Sequence, residues 1–181
     1  MTARQATEPN KGFLGWLRVV TIGRNPATTL VRAVVLGVLC WLVFNYTLLP
    51  IRVSGVSMEP NYHDGAANVI NRLVYKRHEP QRGDVVGIRL TPDDGSKPSI
   101  IYLKRIIGLP GETVAFRGGH VMINGQVLDE PYEKEKCDWN TVTMKLGPGD
   151  YFVVGDNRTM SQFDHFFGKV ERTRIVGKVV W

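Results

Sequence analysis

The alternation of apolar and polar positions changes character once along this chain. Near the start, Phe13, Trp16, Leu17 and Val20 fall at i, i+3, i+4 and i+7. That spacing gives one apolar helical face, suited to a membrane surface or to a small core. Asn25 and Pro26 then read as an N-cap and a first-turn proline, opening a helix that can run to Leu49. Such a helix is roughly 36 Å long, enough to cross a bilayer core of about 30 Å with some tilt. Beyond Pro50 the apolar runs shorten and turn residues separate them. Val85 to Leu90 and Ile100 to Ile107 read as strands, with the polar stretch Thr91 to Ser99 as a loop. Asn124-Gly125 divides Val121-Met122-Ile123 from Gln126-Val127-Leu128, a strong hairpin signal because both turn residues tolerate positive φ. Pro148-Gly149-Asp150 turns into Tyr151 to Val154, and Arg174 to Trp181 offers a last strand. The pattern predicts a mainly β domain on one N-terminal transmembrane helix.

The predicted division is a polar tail with an amphipathic helix over residues 1–25, an anchor over 26–49 and a β domain over 50–181. The uninterrupted apolar part of the anchor, Ala33 to Phe44, is short enough to raise the alternative of a cleaved signal sequence. Against that, no small-x-small site follows, and Asn45-Tyr46-Thr47 leads straight on. Arg32 can snorkel to the inner headgroups, while Trp41 and Tyr46 suit the outer half.

Charge and composition narrow the function classes. Of a net charge of +6, the residues up to Arg32 carry five basic side chains against one acid, Glu8. The positive-inside rule then puts the N-terminus in the cytoplasm and the β domain outside. Charge gathered at the N-terminus, rather than in a stripe with interleaved aromatics, argues against a nucleic-acid partner. The two cysteines, Cys40 and Cys137, are too few for a disulfide scaffold or a closed zinc site, so no metal is expected.

Three stretches carry candidate chemistry. Val53-Ser54-Gly55-Val56-Ser57-Met58-Glu59-Pro60 sets Ser57 in a tight turn, where it is either a nucleophile or an ordinary turn serine. Tyr102-Leu103-Lys104-Arg105-Ile106-Ile107 embeds Lys104 in an apolar run. Buried there, an amine is pushed toward its neutral form and can serve as a base; on the wet face of the strand it would be an ordinary surface lysine. Gly155-Asp156-Asn157-Arg158, followed by Ser161, forms a polar cluster after an apolar strand. Of the histidines, His63 and His165 are the alternatives for a base, since each lies beside an aspartate.

In this order the three stretches resemble type I signal peptidases, membrane-anchored Ser/Lys proteases that remove signal peptides. The resemblance covers Pro50 to Trp181. It implies Ser57 as nucleophile, Lys104 as general base and Ser161 as the hydroxyl that orients the amine, with Asp156 and Arg158 as supporting ions. It also implies a compact, mixed but largely antiparallel β fold that touches the lipid bilayer, no cofactor, and location at the outer face of a bacterial plasma membrane. The partners would be preproteins with Ala-x-Ala before the cut, held by Val53, Gly55, Met58, Tyr102 and Leu103.

The sequence departs from that family in three places. Gly55 stands where some members have a serine that donates to the oxyanion, and Asn61 replaces the usual threonine. Where the family has Asp-Ser-Arg with a paired acid and arginine, this chain puts Phe163 at the acid and His165 at the arginine. The segment Thr113 to Asp150 is short, as in members without a large second domain. Two other readings remain: a self-cleaving Ser/Lys protease of the SOS repressor type, and an inactive membrane-tethered module that binds extended peptides.

Overall fold

The structure is a computed structural model that describes residues 25–90, 100–133, 137–163, 165 and 168–180. The expected tail and amphipathic helix before Asn25, the loop Thr91 to Ser99, Asp164 and Trp181 lie outside the described residues. The chain divides into two compact units, Met1–Asn45 and Tyr46–Trp181.

Helix α1 spans Pro26–Tyr46. Asn25 caps it, its Oδ1 accepting the Ala27 amide at 3.1 Å. Leu30, Val34, Val38 and Trp41 are all exposed, and Ala27–Tyr46 is long and apolar enough to cross a membrane. The helix stops short of the expected Leu49. Proline at position 50 cannot continue it, and Leu48–Arg52 instead form strand β1.

The second unit holds two antiparallel sheets. Besides β1, the strands are β2 (Ala67–Asn71), β3 (Val85–Leu90), β4 (Ile100–Gly108), β5 (Thr113–Arg117) and β6 (His120–Ile123). They continue with β7 (Gln126–Val127), β8 (Met144–Lys145), β9 (Asp150–Val154), β10 (Gly168–Glu171) and β11 (Ile175–Val179). One sheet has the order β1-β2-β11-β3-β4-β9-β10 and the other β7-β6-β5-β8. The predicted strands at 85–90 and 100–107 are β3 and β4, paired with Lys104 opposite Val86. The Asn124-Gly125 turn takes φ of 51° and 82° and joins β6 to β7. The region from Thr113 to Lys145 holds a four-stranded sheet, where the sequence announced only one hairpin.

Strand β9 is buried along both faces. Tyr151 and Val153 pack with Val86, Ile88 and Ile106, while Phe152 and Val154 pack with Ile107, Phe116 and Trp139. A third cluster joins Val53 and Met58 to Ile70, Val85 and Leu103. It fastens the loop after β1 to the middle of the large sheet.

Close backbone approach fixes the β2–β11 edge. A Cβ at Gly177 would lie 2.2 Å from the Asn71 carbonyl oxygen, part of a backbone that cannot swing aside. Gly177→Ala is therefore expected to destabilise the unit by about 1 to 3 kcal/mol, the range for overpacking. A urea-denaturation midpoint equal to that of the parent would contradict this packing.

Candidate active site

Ser57 lies in the loop after β1, and local hydrogen bonds shape that loop. The Gly55 amide donates to Asp64 Oδ1 at 2.8 Å, and the Asp64 amide donates to Glu59 Oε1 at 3.2 Å. Gly55 has φ of 95°, a region unfavourable to any side chain, so the shape of this loop itself calls for glycine where the resemblance allows serine. Met58 and Val53 are buried on the sheet, so the half-buried Ser57 sits on a turn with two anchored flanks.

The polar cluster after β9 supports this turn. The Asn157 amide donates to the Ser57 carbonyl at 3.0 Å, and Asn157 Nδ2 donates to the Val56 carbonyl at 3.0 Å. Gly155 packs so closely that a Cβ there would lie 2.1 Å from the Ser57 carbonyl oxygen. A side chain at position 155 would push the loop away.

Lys104 is 1% exposed in β4. Burial pushes its amine down to about 8, with the charge of Asp156 opposing the shift. Burial is the larger influence, and Asp156 has partners of its own. Arg105 Nε reaches Asp156 Oδ1 at 2.7 Å and Arg105 Nη2 reaches Oδ2 at 2.5 Å. Asn61 Nδ2 donates to Oδ2 at 2.9 Å. The pairing follows from register, since Arg105 lies opposite Val154 and the chain reaches Asp156 two residues later.

The second supporting ion, Arg158, pairs with buried Glu130 at 2.6 Å, and its Nε donates to the Gly155 carbonyl at 2.9 Å. Tyr132 links the two ion pairs: its hydroxyl donates to Glu130 Oε1 at 2.9 Å and its ring centre lies 4.1 Å from the Arg105 guanidinium. Sequence reasoning missed Arg105, Glu130, Tyr132 and Asn157 as holders of the site. Arg105 had a signal, being a cation next to the candidate base in a buried strand; Glu130 and Tyr132 had none.

Other expected residues fall as follows. Val53, Gly55, Met58, Tyr102 and Leu103 line one groove of about 490 Å³ together with Ser57. Ser161 is exposed, and its Oγ accepts the Phe163 amide at 3.2 Å. It also lines a larger cleft of about 800 Å³ beside Trp139 and Phe163. His63 is exposed and meets Glu59 at 3.0 Å. His165 is buried, and its Nε2 accepts the Gly155 amide at 2.7 Å, so that nitrogen is occupied. Among the described residues no cluster of metal-ligating side chains occurs.

Residues 27–181 match the family described as signal peptidase, peptidase S26. The chain is 33% identical to the signal peptidase I of Bacillus licheniformis over 188 aligned positions, 98% of this chain and 91% of that one. It is 30% identical to the signal peptidase IB of Staphylococcus aureus over 160 positions, 78% of this chain and 81% of that one. A crystal structure of a signal peptidase I from Enterococcus faecalis aligns with a TM-score of 0.42 at 31% identity, covering 56% of this chain and 97% of that one. With a family match across most of its length and relatives of this identity, the chain belongs to the signal peptidase family, peptidase S26, and is a serine-type peptidase.

Proposed function

We propose that this enzyme removes N-terminal signal peptides from translocated preproteins, with Ser57 as nucleophile and Lys104 as general base. The observation that carries the reading is a buried amine whose nearby carboxylate, Asp156, is held by Arg105, while the next residue, Asn157, holds the Ser57 turn. Neutral Lys104 takes the Ser57 hydroxyl proton as Oγ attacks the scissile carbonyl. The Ser57 amide is the oxyanion donor in this scheme. The resulting ammonium then gives its proton to the departing amine. Water, activated by the same lysine, releases the cleaved signal peptide from Ser57.

Substrate enters the groove as an added strand, with small side chains directed at Val53, Gly55, Met58, Tyr102 and Leu103. The family pattern alone assigns the Ser161 hydroxyl to orienting the amine, since here it is exposed and accepts the Phe163 amide; Asp156 and Arg158 hold the segment that packs against the Ser57 turn. Helix α1 anchors the enzyme in the bacterial plasma membrane, with the preceding basic residues in the cytoplasm and the β unit outside. Protease added to intact spheroplasts should digest the segment after Pro50. Its full protection with Met1 to Arg24 exposed would reverse the topology.

Activity should depend on the charge of Lys104. With chemistry rate-limiting, kcat/KM should rise with pH through about 8. Ser57→Ala and Lys104→Arg should each abolish cleavage of a preprotein bearing Ala-x-Ala, the first for want of a nucleophile and the second because arginine cannot give up its proton. Appreciable cleavage by Lys104→Arg would move the base elsewhere.

The same burial makes a stability prediction of definite sign. The folded-state value lies below the unfolded one, so as pH falls from about 10.5 toward 8 the unfolded chain gains a proton that the folded chain resists. The fold loses up to about 3 kcal/mol over that window and no more below it. Lys104→Met should remove this loss while ending activity. Parent and variant denaturation curves whose difference is independent of pH between 8 and 10.5 would contradict it.

A further inference from the structure

His165 is 3% exposed and stands where the resemblance calls for an arginine. Its Nε2 lies 2.7 Å from the Gly155 backbone nitrogen. An amide can only donate, so Nε2 is an acceptor and the ring proton sits on Nδ1. Arginine has no acceptor and could not make this bond. The residue is further held by its own backbone, whose amide donates to the Ser161 carbonyl at 3.0 Å, and by Trp139, whose ring meets the imidazole edge-on at 5.1 Å.

Gly155 is the piece that His165 controls. Its amide goes to His165 and its carbonyl accepts Arg158 Nε. A Cβ there would meet both the Ser57 carbonyl oxygen, at 2.1 Å, and His165 Nε2, at 2.6 Å. Two residues on, the Asn157 amide holds that same Ser57 carbonyl. Moving the ring therefore moves the seat of the nucleophile.

We propose that His165 is a positioning residue that, as a neutral acceptor, fixes Gly155 and through it the height of Ser57, in place of a charged pair. Arg158, and Lys104 whenever it is protonated, both act against a proton on the ring. Burial and then these two charges push the imidazole down to about 3, with the Asn157 backbone opposing, so it stays neutral throughout the working range. Phe163, at the place of the family's acid, brings no charge to the ring and is itself 90% exposed.

The proposal rests on the Ser57/Lys104 reading, and its test separates the two. The full-length chain is purified in detergent, and kcat and KM are measured per folded molecule for the parent, His165→Ala, His165→Gln and Ser57→Ala. Displacing a reacting group by about 1 Å can lower turnover about 100-fold, so His165→Ala should lose kcat on that scale with KM little changed. Glutamine can offer its carboxamide oxygen to the Gly155 amide and should recover most of the loss. Separately, ring nitrogen NMR of the parent should give a neutral ring protonated on Nδ1 from about pH 8 to about pH 5, whether or not the variants fold. A ring that titrates within that window, a His165→Ala enzyme with parental kcat, or a His165→Gln enzyme no better than His165→Ala would overturn the proposal. Continued cleavage by Ser57→Ala would instead defeat the catalytic reading.

Discussion

The site depends on one captured carboxylate. An amine buried beside a free aspartate would form an ion pair and stay protonated, useless as a base. Here Arg105 takes Asp156 with two nitrogens and Asn61 adds a third donor, so a cation balances the charge of Asp156 beside Lys104. Burial then dominates and lowers the lysine. Adjacent residues on one strand thus do opposite work: Arg105 remains the cation that holds Asp156, and burial loosens the proton on Lys104.

The same few residues hold the Ser57 turn. The segment Gly155 to Arg158 leaves the buried strand β9 and places Asn157 against the Ser57 carbonyl, Asp156 against Arg105 and Arg158 against Glu130. Breaking a buried pair by removing one partner strands the other charge, which is expensive. The segment is therefore fixed from several sides, and the Ser57 turn inherits that rigidity.

Much of this was legible in the sequence where the signal is local. Alternation and turn residues announced β3, β4 and the Asn124-Gly125 hairpin, and an apolar run announced α1. Strand β2 escaped notice because Asn68 and Asn71 interrupt its apolar pattern, and the two-residue β8 is too short to leave one. In the site, Ser57 and Lys104 could be singled out by their settings. The Arg105–Asp156 and Arg158–Glu130 pairs could not, because partners separated by 51 and 28 positions are brought together by the tertiary fold and not by local pattern. His165 drew attention as a departure, but its role needed the position of the Gly155 amide.

The central claim is that Lys104 gives up its proton far more readily than an ordinary lysine, because it is buried and its neighbouring acid is already bound. Its most direct measurement is an NMR titration of the Lys104 side chain, selectively labelled, in the full-length Ser57→Ala chain. The account predicts a midpoint of about 8. A midpoint near the ordinary lysine value of about 10.4 would contradict it.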